Sequence, residues 1–305
     1  MNTGKRNNQD THRLMCILAH PDDEALGFGG MLAHYAHQGV ATYLITATSG
    51  QRGWLGNPEE YPGAEALGRI RKDELYASAE ILGVKETTLL DYMDGDLDRA
   101  EPSEIINLLV GHLRRVRPQV VLTFDPFGIY GHPDHIAICQ FSTAAVMAAA
   151  NPNYMDSQRQ AAHQVSKLYY RAWGLAEAAI YQQVFGDLGM TIDDVKRSAT
   201  PWHEWAITTR IDATPYWQQV QAAVDSHRSQ LGAYERFAAL SSEEQRTLWG
   251  SQNFYRALSL VNGGREAEND LFMGIAATVD MNSLFTLNGL SEVFRPAVFA
   301  SSVRS

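Results

Sequence analysis

Leu14-Met15-Cys16-Ile17-Leu18-Ala19-His20-Pro21-Asp22-Asp23-Glu24 decides how the chain is read. Its first six residues make an apolar run of strand length. A histidine and three acids follow directly. Proline is tolerated at a first helical position and acids favour a helix N-terminus. Asp23 to Gln38 therefore reads as a helix that Gly39 stops. A helix start accounts for one or two carboxylates. It does not account for a histidine at a strand end followed by two adjacent aspartates.

The same alternation continues outward. Val40 to Thr46 is β-branched and aromatic, a second strand, and a Gly/Pro-rich loop runs from Ser49 to Gly63. Glu65 to Leu82 reads as a helix ending at Gly83, and Thr87 to Tyr92 as a third strand. Ser103 to Arg117 is an amphipathic helix, with Ser103 as its cap and Pro118 as its stop. Val120 to Phe124 gives a fourth strand, His135 to Ala150 a helix and Lys167 to Trp173 a fifth strand. This pattern predicts an α/β, Rossmann-like fold, a mostly parallel sheet with helices on both faces. Ligands in such sheets bind beyond the carboxyl ends of the strands. Chemistry is thus expected just after Ala19, Thr46, Tyr92 and Phe124. From about residue 175 the signals are less regular. Trp202 to Ile211 holds a strand, Pro215 to Gln230 reads as a helix, and little is legible after Leu231. Without a repeat or a clean linker, residues 14–305 read as one domain behind a polar extension, residues 1–13.

The fourth strand runs into Phe124-Asp125-Pro126-Phe127-Gly128-Ile129-Tyr130-Gly131-His132-Pro133-Asp134-His135. If Pro133 opens the next helix, His132 and His135 share a face or edge of its first turn. Asp134 projects differently and could orient one imidazole. Two histidine-bearing segments at two strand ends can converge on one divalent cation. Two histidines and one carboxylate suit zinc first, and ferrous iron could take the same ligands. His20, Asp23 and His135 would supply that set and leave a position for water. Asp22 then remains as general base.

Composition narrows the partners. The formal charge is −10, from 25 basic and 35 acidic residues, with no Lys/Arg block. Nucleic acid and anionic membranes are poor matches for such a chain. The run from Leu14 to Ala19 is too short for a signal peptide, and that from Ala144 to Ala150 too short to cross a bilayer. Cys16 and Cys139 stand alone in apolar runs and read as buried packing residues, compatible with a reducing cytoplasm. No GxSxG elbow is present. Gly27-Phe28-Gly29-Gly30 departs from a dinucleotide fingerprint, because Leu32 stands where a small residue is needed. A non-haem iron oxygenase would also use two histidines and a carboxylate but leaves Asp22 without a role. A non-catalytic carbohydrate-binding protein would not need Asp22 either. The expected partner is a small molecule, with homo-oligomers left open.

The segments "AHPDDE" (residues 19–24) and "GHPDH" (residues 131–135) resemble the two signatures of the PIG-L/LmbE family of zinc-dependent deacetylases. Phe124 to His135 is most similar to the mycothiol-pathway branch, which holds a glucosaminyl-inositol deacetylase and a mycothiol-conjugate amidase. The resemblance is good from Leu14 to Trp173 and returns at Ser226-His227-Arg228-Ser229-Gln230, similar to "HxSQ". It implies an LmbE-like domain that hydrolyses the amide of an N-acetylglucosaminyl conjugate. It implies His20, Asp23 and His135 as zinc ligands and Asp22 as base. It implies His132 as the histidine that stabilises the transition state, with Asp134 its neighbouring carboxylate. Tyr130 would assist at the oxyanion, and Arg71 and Asp94 would hold the sugar. The proton for the leaving amine would come from Asp22 or His132. His227 is expected to be structural or to stand behind the site, and the six Trp to be mostly packing residues, with Trp54 at the substrate mouth as the alternative.

Overall fold

A computed structural model of the protein describes residues 12–276 apart from 187, 188, 193 and 265. Most of the polar extension and residues 277–305 lie outside the described residues. Five strands are β1 (Arg13–Leu18), β2 (Ala41–Thr48), β3 (Glu86–Tyr92), β4 (Val120–Thr123) and β5 (Lys167–Arg171). They run parallel in the order β3-β2-β1-β4-β5. β9 (Ser251–Ser259) then pairs antiparallel with β5, and β8 (Thr209–Asp212) antiparallel with β9. β6 (Gly189–Ile192) and β7 (Val195–Ser198) form a separate hairpin. The mostly parallel α/β sheet expected from the sequence is therefore present.

β1 is central, and from Leu14 to Leu18 it is buried throughout. Its register runs from Arg13 opposite Ala41 to Leu18 opposite Thr46, with Leu14 opposite Val120 on the other side. A strand buried on both faces needs continuous apolar residues, which is why it reads as a run and not as an alternation. The helices are α1 (Asp23–Leu26), α2 (Gly29–His37), α3 (Ala64–Ile81), α4 (Pro102–Val116) and α5 (Gly128–Gly131), an irregular single turn. They continue with α6 (Pro133–Ala150), α7 (Leu175–Phe185), α8 (Trp217–Ser226), α9 (Leu231–Ala238) and α10 (Ser242–Gly250). Right-handed crossovers put α2 and α3 on one face of the sheet and α4 and α6 on the other. The direction of winding reverses between β1 and β4. A cleft opens at such a switch point, beyond the carboxyl ends of both strands. Among the described residues no helix is long and apolar enough to cross a membrane.

Several expectations are corrected. The helix expected from Asp23 to Gln38 is two helices, broken at Gly27-Phe28, where the Gly27 carbonyl accepts a bond from Arg171 Nε at 2.6 Å. Gly30 then packs so closely that a Cβ there would lie 2.4 Å from the Trp249 carbonyl oxygen. These glycines serve helix packing. Ser103 is not the cap of α4; Glu101 is, with Pro102 in the first turn. The helix expected from Pro215 to Gln230 is α8, followed by a 3-10 turn from Arg228 to Gln230. The weakly patterned stretch after Leu231 holds α9, α10 and β9. β9 escaped notice because it buries Gln252 and Asn253; the Asn253 carbonyl accepts from Arg171 Nη1 at 2.9 Å, and its amide Nδ2 donates to Glu177 at 3.3 Å. Cys16 and Cys139 are buried and unpaired, as expected.

Candidate active site

His20 follows β1, and His135 lies in the first turn of α6, which Pro133 opens. The two imidazoles meet with His20 Nδ1 3.2 Å from His135 Nε2. Asp23 closes the group, its Oδ2 3.6 Å from His20 Nδ1 and its Oδ1 3.4 Å from His135 Nε2. Zinc bonds of ~2.0–2.1 Å in tetrahedral geometry need donors about 3.3 Å apart. The separations are of that order, with each Asp23 oxygen facing one imidazole, and one donor atom from each of the three residues lies within 4.8 Å of the others. Asp23 Oδ2 is fixed by the backbone N–H groups of Ala19 (3.2 Å) and His20 (2.7 Å). His20 Nε2 faces Asp134 at 3.1 Å and Asp94 at 3.2 Å. A carboxylate behind a ligating imidazole sets its tautomer and orientation. Burial works against charge on His20, but Asp134, Asp23 and Asp94 outweigh it and raise its pKa well above the ordinary value. Burial opposes charge on Asp23 too, yet His135 and His20 hold its pKa far down. A cation answers this concentration of carboxylates, and the donor set fits one.

Asp22 sits beside the group with φ 113, unusual for a residue with a side chain. Its backbone N–H donates to Glu24 Oε2 at 3.0 Å, and Glu24 Oε1 is held by His227 Nε2 at 2.7 Å and Ser78 at 2.5 Å. His227 therefore stands behind the site, as expected. Asp22 Oδ2 accepts from Arg71 Nη2 at 2.9 Å and from the Tyr234 hydroxyl at 2.7 Å. Burial raises the Asp22 pKa; Arg71 and Tyr234 restrain the rise. Arg71 also donates to the carbonyls of Gly50 (3.1 Å) and Pro21 (2.5 Å). It lines the cavity, and most of its donors are engaged in holding Asp22 and the strand-end loops.

His132 lies at the edge of the first turn of α6, as expected, its ring stacked on that of His135 with centroids 4.9 Å apart. It is the residue before α6, and its Nδ1 accepts the Asp134 N–H at 3.1 Å. Its proton therefore sits on Nε2. Burial and the neighbouring His20 and His135 push its pKa down to about 3, so it is a neutral donor and not a cation. Asp134 is wholly buried and does not line the cavity. It accepts from the N–H groups of Gly95 (2.7 Å) and Leu97 (3.1 Å), and the imidazole it orients is that of His20. Tyr130 stands edge-on to His135, ring centroids 5.3 Å apart, and burial keeps its hydroxyl protonated. Asp94 lines the cavity and takes the Arg52 N–H at 3.0 Å.

The cavity is about 680 Å³. Arg52, Gly53 and Leu55 from the loop after β2 line it. Trp54 does not; its indole N–H bonds the Asn57 carbonyl at 2.9 Å. Leu26, Trp173, Tyr181 and Phe185 form an apolar part of the lining. Tyr234, Gln230 and this aromatic wall carried no local signal that marked them for the site, although Gln230 lies in the HxSQ-like segment and Tyr234 one helical turn after it.

The sequence profile of the PIG-L family, described as GlcNAc-PI de-N-acetylase, matches residues 15–146. A 1D-myo-inositol 2-acetamido-2-deoxy-alpha-D-glucopyranoside deacetylase of Streptomyces avermitilis is 32% identical over 302 residues, covering 87% of this chain and 97% of that protein. The chain belongs to the PIG-L family. A mycothiol S-conjugate amidase of Streptomyces coelicolor is 29% identical over 289 residues, covering 87% of this chain and 98% of that protein. Both named activities of the mycothiol branch thus occur among the PIG-L relatives. The N,N'-diacetylchitobiose deacetylase from Pyrococcus horikoshii has the same fold, with a TM-score of 0.59 and 22% identity over 83% of this chain and 86% of that one. The PIG-L match ends within α6, so it includes both histidine segments, Arg71 and Asp94 but not Tyr234.

Proposed function

We propose that the protein is a zinc-dependent amide hydrolase that removes the acetyl group from an N-acetylglucosaminyl conjugate. The observation that carries this reading is the triangle of His20, Asp23 and His135 with the spare carboxylate of Asp22 beside it. PIG-L membership supports it. When bound, zinc would lower the pKa of a water to about 7 and polarise the amide carbonyl. Asp22 takes the proton of the attacking water, and burial suits it to a group that must also release one. Arg71 and Tyr234 hold its carboxylate in place. His132 donates its Nε2 proton in a hydrogen bond to the developing oxyanion, and the Tyr130 hydroxyl is a second donor. Protonated Asp22 is then the acid at hand for the leaving amine. Asp94, with Arg71 and Arg52 near it, supplies polar contacts for sugar hydroxyls.

A second reading, hydrolysis of a larger thiol-sugar conjugate, is favoured by one observation. The wall of Leu26, Trp173, Tyr181 and Phe185 offers apolar surface that an acetyl group alone does not fill. The proposal places the enzyme in the cytoplasm, supported by two buried, unpaired thiols.

The test is release of carboxylate and free amine from a panel of N-acetylated and larger N-acylated glucosaminyl conjugates. Chelator should abolish release, and zinc should restore it. Ferrous iron under anaerobic conditions is the comparison metal. No release from any member, with metal bound, would end the reading.

A further inference from the structure

We propose that Asp125 is a positioning residue that acts through Tyr130, by clamping the strained turn that carries it. Its kinetic consequences rest on the hydrolase reading above; its structural consequences do not.

Ile129 has φ 63 and ψ −67. A β-branched residue is strained there, and such strain persists only where the surroundings impose it. Here two hydrogen bonds pin the residue from opposite sides. Its N–H donates to Asp125 Oδ1 at 2.8 Å, and its carbonyl accepts the Thr200 N–H at 3.0 Å. The second oxygen of Asp125 accepts the Trp202 indole N–H at 2.8 Å. Trp202 is itself anchored. Its backbone N–H bonds the Trp173 carbonyl at 2.7 Å, and its ring stacks on Tyr255 of β9 at 5.1 Å. Arg197 of β7 closes the outside of the turn, where a Cβ on Gly131 would lie 2.5 Å from the Arg197 Cβ.

Asp125 is buried and does not line the cavity. Ile129 and Tyr130 do. If the clamp opens, Ile129 relaxes to negative φ. The peptide that follows it rotates, and the Tyr130 ring leaves its edge-on place against His135. Asp125 therefore touches no reacting atom, yet it fixes where one hydrogen-bond donor stands.

The test uses Asp125→Asn, which keeps the shape. An amide accepts at one end only, so its NH2 must face either the Ile129 N–H or the Trp202 indole N–H. Amide hydrogen exchange in the peptide spanning residues 126–132 should quicken about tenfold. kcat should fall about ten- to a hundredfold, as for a misplaced group, with KM and bound metal little moved. Combining it with Tyr130→Phe should add less than a twofold loss to that of Tyr130→Phe alone. Adding Trp202→Phe, which removes one competing donor, should restore most of the kcat lost in Asp125→Asn. Unchanged exchange would overturn the clamp. Losses that multiply with Tyr130→Phe, or a change confined to KM, would overturn its action through Tyr130. If Asp125→Asn does not fold, Trp202→Phe alone should show the same faster exchange and the same non-multiplying loss on a smaller scale. A parent enzyme that cleaves no N-acylated amino sugar would end the hydrolase reading, and the exchange measurement would then decide the clamp by itself.

Discussion

Two carboxylates, the half-buried Asp22 and the buried Glu268, play opposite parts. Glu268 belongs to the network around β5, β8 and β9, which starts from Lys167 at the opening of β5. It accepts from Lys167 Nζ (2.7 Å), the Tyr169 hydroxyl (2.7 Å), the Thr209 hydroxyl (2.8 Å) and Asn262 Nδ2 (2.7 Å). Arg256 adds a second cation at 2.8 Å. Asp22, beyond the carboxyl end of β1, has one cation and one hydroxyl. Burial alone would raise Glu268, but its partners hold its pKa down at about 2. Burial raises Asp22, and its fewer partners do not reverse that. A carboxylate with every lone pair engaged is glue. One left partly unengaged beside the candidate metal triangle is the one the proposal uses for proton transfer.

The largest effect should come from Asp22→Asn. General acid–base groups contribute typically about 10²–10⁴-fold, so kcat should fall by that order while bound metal and thermal stability hold. His135→Ala is the contrast, because metal content itself should drop. Metal analysis beside turnover separates the two, and near-normal turnover by Asp22→Asn would remove the base assignment. Glu268→Gln should do the reverse. It leaves the wholly buried Lys167 without its charge partner, and breaking a buried pair costs about 3–5 kcal/mol. Urea unfolding should show that loss while kcat stays at the parent value. A change in kcat would mean that the two regions are coupled.

The two regions also differ in how legible they were. Each half of the candidate metal site is local. His20, Asp22 and Asp23 fall within four residues directly after β1, and His132, Asp134 and His135 within four residues in the segment that leads from β4 into α6. A parallel sheet places such ends side by side, so spacing and fold class together brought the triangle into view. Roles that depend on direction were less visible. Asp134 was expected beside His132 but orients His20, because Gly95 and Leu97 donate to it from the loop after β3. Tyr234 reaches Asp22 across 212 residues, from a helix with no local signature. The Glu268 network was illegible altogether. Its partners come from three strands and an irregular segment, and β9 buries polar side chains where a strand reading looks for alternation.

A smaller effect follows from the depressed pKa of Glu268. A carboxylate lowered on folding stabilises the protein above its unfolded pKa, about 4.3, and loses that contribution as pH falls through its folded value, about 2. The stability gap between the parent and Glu268→Gln should therefore be constant near neutrality and shrink between about pH 4.5 and 2. A gap that stays level over that window would mean that the charge of Glu268 is not what the network holds.

The smallest expected effect is the most specific to Asp22. The Tyr234 hydroxyl donates to its ionised form, so Tyr234→Phe should raise the Asp22 pKa. A base must be ionised to act, so the acid limb of kcat/KM should move to higher pH. One hydrogen bond to a charged group, about 1.5–3 kcal/mol, bounds the move at about one to two pH units. At the plateau kcat should change only a few-fold, because Arg71 still holds the carboxylate from its other partner position. A limb that moves to lower pH, or does not move while kcat falls at every pH, would mean that the group titrating on the acid side is not Asp22, and the contrast with Glu268 would lose its chemical half.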